Sequence, residues 1–162
     1  MNHDLKYYIT LFVILGIGTV IIQSQFVPFM EINVWRPDLV LIIVLFFGKR
    51  FGSMQGSTTG FILGIIQDAL TSMPIGISAL PKTLAGYAAG KIKSLHLGGN
   101  MYLVWFVLMI FIHELIVYLF LQFKSQVSFP FLVYSRVFPN TIYTTVMLFF
   151  SNVFLKRYFN ED

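Results

Sequence analysis

The chain contains no cysteine, and charged residues make up only 11% of it. The first absence excludes disulfides, thiolate nucleophiles and thiolate metal ligands, and it carries no information about the redox compartment. The second leaves far fewer charges than the ~25% typical of soluble domains, too few to cover the surface of a soluble globule of 162 residues. Disorder is excluded as well, because disordered segments combine low hydrophobicity with high charge.

Apolar residues make up 57% of the chain and fall in runs of membrane length. We interpret six runs as spans, at residues 7–27, 37–48, 52–70, 75–91, 101–121 and 137–155. They predict an all-α membrane protein, a six-helix transmembrane bundle that forms one integral membrane domain over residues 1–162. The second run gives only about 18 Å of helix, so it is either completed by the stretch Phe26–Trp35 or turns back. Pro81 in the fourth run predicts a kink or a helix that begins there.

The net charge of +4 comes from basic residues scattered singly and in pairs, which is typical of topology signals and not of a nucleic-acid surface. If all six runs cross and the N-terminus is cytoplasmic, seven of the 11 basic residues lie inside and four outside. If the second run turns back, the two counts are reversed. The bias of positive charge towards the cytoplasm therefore favours six crossings with both termini cytoplasmic. The short loops and tails leave no room for a soluble catalytic domain.

Small residues recur at every fourth position of the third run, and the fourth run repeats the pattern. The glycines concerned are Gly52, Gly56, Gly60, Gly64, Gly86 and Gly90. This spacing lets another backbone approach closely, so the third helix is predicted to be a glycine-rich contact helix that does not face lipid. Two interpretations are open: packing against another helix of the same chain, or docking of a partner's helix.

Two acidic residues stand at the ends of predicted helices. Asp68 lies near the end of the third run, where a carboxylate opposes the helix dipole and should have a partner. Lys82, 14 residues further on, is the natural candidate, and a contact with a ligand or partner is the other possibility. Asp38 follows Arg36 and Pro37 at the start of the second run, which is ordinary chemistry for a helix N-terminus.

His113 and Glu114 fall near the middle of the fifth run, where an ionised side chain costs at least ~2.5–3.5 kcal/mol. Tyr118 lies one turn beyond Glu114 and is placed to donate a hydrogen bond to it. A role with a substrate, proton or partner and a role as a buried polar clamp are both open. The sequence has no P-loop, metalloprotease, hydrolase or dinucleotide motif, so we expect no enzyme, no cofactor and no metal site.

A family pattern becomes recognisable between Arg36 and Gly90. Its parts are Pro37-Asp38 before a Leu/Ile/Val run, Gly56-x-x-x-Gly60-Phe61-x-x-Gly64-x-x-x-Asp68, Pro74-x-Gly76, and Thr83-x-x-Gly86-Tyr87-x-x-Gly90. Together they resemble the MreD family of bacterial rod-shape-determining membrane proteins. The resemblance is specific over about a third of the chain.

The resemblance implies a non-enzymatic subunit of the complex that directs lateral peptidoglycan synthesis, in the bacterial cytoplasmic membrane. It implies MreC as the direct partner, with MreB, the glycosyltransferase RodA and a class B penicillin-binding transpeptidase in the wider complex. It also implies a fold similar to the S-components of energy-coupling-factor vitamin transporters. On this basis the glycine face and the turn Asp68–Gly76, which includes Pro74, are candidates for contact with MreC.

The alternative function is that of an S-component, or of another small-solute transporter. It would use a pocket open to the outer side, with Asp68, Lys82, His113 and Glu114 as polar ligands. Against it, the first run contains no alanine, whereas S-components typically carry Ala-x-x-x-Ala contacts there. A third possibility, an assembly subunit of another membrane complex, differs from the first only in its partner.

Overall fold

A computed structural model describes residues 3–31, 35–92, 94–95, 101–123 and 127–159, and this part of the chain contains helices and no strand. The first five helices are α1 (His3–Gln25), α2 (Leu39–Phe51), α3 (Ser53–Leu70), α4 (Ala79–Gly90) and α5 (Met101–Gln122). The sixth, α6, joins Phe129–Leu132, a π-helical turn Val133–Val137 and Phe138–Phe159 without a break. A short 3-10 helix, Val27–Met30, follows α1. The predicted all-α fold is confirmed.

The helix boundaries follow from local chemistry at two places. A single residue, Gly52, separates α2 from α3 with φ +101, a left-handed backbone that favours glycine. The fourth helix begins at Ala79, so Pro81 lies in its first turn and not in its interior. Proline is tolerated there because the first N–H groups of a helix have no partner within the helix. A helix starting near the proline was one of the two expected outcomes.

Contacts between helix ends show that consecutive helices run in opposite directions. The side chain of Gln23, near the end of α1, bonds to the backbone at the start of α2. Along α3, Gly64 faces Ala79 at the start of α4 and Gly56 faces Gly86 near its end, so these two helices are antiparallel. Tyr102, at the start of α5, donates to Asn152 in the last part of α6 over 2.6 Å. Helices α1, α3 and α5 therefore finish at one end of the bundle, and α2, α4 and α6 finish at the other.

The short second helix lies at the centre of the bundle. It contacts α1, α3, α4 and α6, so other helices cover most of its surface. Its buried residues are Val40, Leu41, Ile42, Val44, Leu45, Phe47 and Gly48. Leu41, Ile42 and Leu45 join residues of α4, α5 and α6 in the main apolar core.

Large apolar side chains also cover the outside of the bundle. Between 51% and 64% of the surface of Ile14, Phe61, Leu84, Val104 and Ile142 is exposed, one residue from each helix other than α2. Such a surface suits a lipid environment and would be an aggregation hazard in water. Within the described residues, α5 is the helix that is long and apolar enough to cross a membrane. The predicted placement of the termini concerns residues 1–2 and 160–162, which lie outside the described residues.

Candidate functional site

Asp38 serves two purposes at the start of α2. Its Oδ1 accepts a hydrogen bond from the Leu41 backbone N–H over 2.8 Å, which caps the helix. Its Oδ2 lies 2.5 Å from the Nζ of Lys82, a side chain with no exposed surface. The sequence pattern predicted the helix-terminal role and did not predict the buried ion pair. A buried ammonium needs such a partner because an isolated charge in an apolar interior is very costly.

His113 of α5 lies beside the Asp38–Lys82 ion pair. Its Nε2 lies 3.3 Å from Lys82 Nζ. An ammonium group has only donors, so the lone pair of Nε2 faces it, and a neutral His113 carries its proton on Nδ1. That Nδ1 lies 3.4 Å from Glu114 Oε1. The order of groups is thus Lys82, His113 and Glu114, with Asp38 beside the first two.

Asn140 of α6 completes the network. Its Nδ2 donates to Glu114 Oε2 over 3.2 Å and to the Tyr118 hydroxyl over 3.1 Å. Tyr118 was predicted to bond directly to Glu114, whereas Asn140 lies between them. Sequence reasoning missed Asn140, although the signal was present. Asn140 and Thr144 are polar, one helical turn apart in an apolar run, and Thr144 accepts from the backbone N–H of Asp38.

The predicted pairing of Asp68 with Lys82 is wrong. Asp68 is fully buried, but its carboxylate accepts hydrogen bonds from the backbone N–H groups of Gly76 over 2.8 Å and Ser78 over 3.1 Å. The turn after α3 folds back over the end of that helix, so backbone donors reach the carboxylate first. The positive end of the α4 dipole lies beside the same group. Lys82 lies one turn further along α4 and contacts α2.

The glycines of α3 at every fourth position, Gly56, Gly60 and Gly64, form a stripe that α4 covers. A side chain on Gly60 would overlap the backbone carbonyl of Lys82, and one on Gly56 would overlap that of Gly86. Gly64 faces the backbone of Ala79 in the same way, and Gly90 faces Ser53. Gly52 differs, because it forms the corner between α2 and α3. The close approach thus occurs within the chain, and no partner helix can lie on the stripe in this arrangement.

The last part of the site is shaped by α6. Pro139 has no N–H, so the α-helical bond to the carbonyl of Ser135 cannot form. That carbonyl accepts the indole N–H of Trp35 over 3.0 Å. The π-helical turn Val133–Val137 lies in the same place, and such turns are frequent at functional sites. This contact fixes the segment before α2 against α6.

A cavity of about 330 Å³ opens beside the network, at the end of the bundle where α1, α3 and α5 finish. Arg36 and Arg136 line it together with Asp38, His113, Glu114 and Asn140. Gln67, near the end of α3, lines it too, and sequence reasoning missed this residue. Pro74 and Gly76 belong to the turn beside the cavity, where Pro74 is exposed.

A metal ion does not fit the acidic part of the site. Asp38, His113 and Glu114 each offer one ligand atom, all within 4.8 Å of one another. However, the Lys82 ammonium already lies against Asp38 and His113. His113 also presents Nε2 to Asp38 and Nδ1 to Glu114, and one imidazole cannot direct both nitrogens at one ion. The arrangement is a network built around an ammonium group, suited to holding buried charge and to binding a polar ligand.

Comparison with known proteins gives one result. The family model described as rod shape-determining protein MreD matches residues 3–158. No curated protein and no solved structure matches the chain. The match includes the network, the cavity and the glycine stripe, and it extends well beyond the stretch from Arg36 to Gly90 that carried the pattern in the sequence.

Proposed function

The chain belongs to the MreD family of rod shape-determining membrane proteins, and on this premise we propose that it is a subunit of the bacterial cell-elongation complex. In this proposal it binds MreC, acts without catalysis and helps to organise lateral peptidoglycan synthesis. MreB, RodA and a class B penicillin-binding transpeptidase belong to the same wider complex. The observation that carries the proposal is the family match over residues 3–158.

The proposal includes six membrane crossings with both termini in the cytoplasm. The alternating direction of the six helices and the apolar exterior support it. Lys49, Arg50 and Lys91 lie at the ends of α2 and α4, on the proposed cytoplasmic side. Lys82, which the sequence count placed outside, is buried in an ion pair and therefore carries no topology signal. The count of basic residues becomes three on the outer side and seven on the cytoplasmic side. The proposed S-component-like arrangement is supported by the short, central α2 beside the glycine-rich α3.

We place the contact with MreC at the turn between α3 and α4. The sequence offered two candidate surfaces for MreC, the glycine stripe and the turn Asp68–Gly76. Since α4 covers the glycine stripe, the turn is the accessible one of the two. Ile75 at its tip is 73% exposed, and Pro74 beside it is exposed as well. The Asp68 carboxylate stabilises the turn by accepting hydrogen bonds from the backbone N–H groups of Gly76 and Ser78. A rigid turn with an apolar tip suits an apolar partner segment, because little conformational freedom is lost on binding.

The experiment is co-purification of MreC with the Ile75→Ser variant in mild detergent. We expect at least about a tenfold weaker association, the effect of truncating a central contact residue. The matched control is Met54→Ser, since Met54 is 79% exposed at the opposite end of α3. Equal recovery of MreC by both variants would move the contact elsewhere. Failure of the unaltered chain to recover MreC, with normal rod shape in cells lacking it, would refute the proposed function.

The transporter alternative rests on the cavity of about 330 Å³. Family membership favours the elongation complex over it. Solute uptake by vesicles that contain the chain and an energising subunit would favour the transporter, and cell rounding on depletion without any change in uptake would favour the elongation complex.

A further inference from the structure

The cavity has the dimensions of a ligand site. Its volume of about 330 Å³ falls within the ~300–1,000 Å³ of small-molecule pockets. Such pockets combine an apolar lining with a few convergent polar groups. Here Val117, Leu121 and Leu132 supply apolar surface, and buried polar groups from α3, α5 and α6 converge on the same space.

Among the described residues, no lysine or arginine forms an ion pair with the buried carboxylate of Glu114. Only 5% of its surface is exposed, and its hydrogen-bond donor is the neutral amide of Asn140. Lys82 neutralises Asp38 and does not reach Glu114. His113 Nδ1 lies 3.4 Å from Glu114 Oε1, and the imidazole is uncharged in the tautomer that turns the Nε2 lone pair towards Lys82. Because an ionised carboxylate in an apolar interior is costly without a compensating charge, Glu114 favours a cation in the cavity that it lines.

Gln67 gives a second, independent indication. It is 9% exposed and lines the cavity, and its Oε1 receives no hydrogen bond from any described residue. A buried acceptor without a donor is unfavourable, since it has lost its water and gained nothing. Glu114 and Gln67 thus both present acceptor oxygens that a hydrogen-bond donor in the cavity would satisfy. A primary ammonium group supplies three donors and a positive charge at once.

Two arginines determine the other half of the ligand. Arg36 and Arg136 line the same cavity, and guanidinium groups bind carboxylate and phosphate through paired hydrogen bonds. The Arg36 side chain is 47% exposed, and its pair with Glu31, at 3.4 Å, is of the weak surface kind that a ligand can displace. A simple cation would be repelled by these arginines, whereas a molecule with both charges suits both halves of the lining.

We propose that the cavity binds a small zwitterion, with a primary ammonium group at Glu114 and Gln67 and an anionic group at Arg36 and Arg136. A free amino-phosphate or amino-carboxylate has this chemistry, and so does the headgroup of phosphatidylethanolamine. The inference is independent of the proposed contact with MreC, which lies on the turn.

The test is calorimetric titration of the purified full chain, in a maltoside detergent, with phosphoethanolamine. We expect saturable binding at one site, at least about tenfold weaker in Glu114→Gln. The control is Tyr102→Phe, which removes a polar group from a buried contact at the other end of α5 that does not line the cavity, and we expect it to bind as the unaltered chain does. Phosphocholine, whose methylated nitrogen has no N–H donor, should bind more weakly than phosphoethanolamine.

Three results would overturn the proposal: no saturable binding, equal binding by Glu114→Gln and the unaltered chain, or equal losses in Glu114→Gln and Tyr102→Phe. Size-exclusion chromatography establishes that each variant is folded. If Glu114→Gln aggregates, Gln67→Leu replaces it, with an expected loss of about threefold or more, and unchanged binding by that variant likewise refutes the proposal.

The source of the ligand is decided in lipid nanodiscs. If phosphatidylethanolamine nanodiscs weaken binding of the soluble probe and phosphatidylcholine nanodiscs do not, the lipid headgroup occupies the cavity. If both nanodiscs leave binding unchanged, the ligand is a free zwitterion. Either result supports the proposed chemistry, provided that Glu114→Gln reduces binding.

Discussion

The two sides of α4 differ most around Lys82. On the side of α3, backbone lies against backbone, because glycines such as Gly60 and Gly86 leave no side chain between the helices. On the polar side, which faces α2 and α5, the Lys82 ammonium meets Asp38 and His113 beside the cavity, while further along the helix Gly48 of α2 still lies close to the Gly86 carbonyl. Lys82 belongs to both sides, since its carbonyl faces Gly60 and its ammonium reaches Asp38.

This difference shows how a small helical bundle can hold a buried charge. The close packing of α3 and α4 gains dispersion contacts and leaves little freedom for α4 to shift. A helix fixed in this way can carry Lys82 to a defined position opposite Asp38. The polar side then needs side-chain partners for every group it buries, and it is the side where a ligand can complete the set.

The largest expected effect comes from removing the cation of the polar side. Lys82→Met leaves Asp38 buried without its partner, and we expect a loss of about 3–5 kcal/mol in the free energy of unfolding. Thermal unfolding in detergent, followed by size-exclusion chromatography, measures it. Adding Asp38→Asn should restore most of the loss, because asparagine still caps α2 and carries no charge. A double variant no more stable than Lys82→Met would show that the ion pair is not the cause.

The free energy of unfolding should be sensitive to a single methyl group added between α3 and α4. Gly60→Ala places a Cβ against the backbone of Lys82, and we expect a cost of about 1–3 kcal/mol from overpacking. Gly18→Ala in α1 is the matched control, since a Cβ there meets nothing within 4 Å. That variant should be neutral or gain up to about 1 kcal/mol of helix propensity. Equal stability of the two variants would contradict the close approach of α3 and α4.

The smallest effect compares one hydroxyl in the closed core with one beside the cavity. Tyr102→Phe removes the donor to Asn152 in a buried contact, and we expect a cost of about 1 kcal/mol. Tyr118→Phe should cost less, because Asn140 keeps its bond to Glu114 and water in the cavity can replace the hydroxyl. Unfolding midpoints of the two variants measure the difference. A larger loss at Tyr118 would indicate that the cavity is dry or closed.

Much of the fold followed from patterns within single helices. Run lengths predicted helices in the observed order, and the glycine spacing predicted a close helix contact. The short second run predicted an unusual α2, although its central position did not follow from its length. His113 and Glu114 attracted attention as ionisable residues in an apolar run, which is where the network lies.

The partners of these residues did not follow from the sequence. Lys82 pairs with Asp38, which is 44 residues away, and not with the nearer Asp68. Asp68 uses backbone N–H groups, which a sequence pattern of side chains does not reveal. Asn140 joined the site from α6 because two distant helices meet there.

The sequence by itself determined that this chain forms apolar helices with a few charges among them, since helix formation and the cost of burying a charge depend on local residues. It thereby determined that Asp38, Asp68, Lys82, His113 and Glu114 each need a partner. Only the tertiary structure decided which partner each one has, and that a cavity opens beside the network at the end of the bundle where α1, α3 and α5 finish. The physical reason is that pairing depends on how helices far apart in sequence pack, and that packing is fixed by the whole bundle at once.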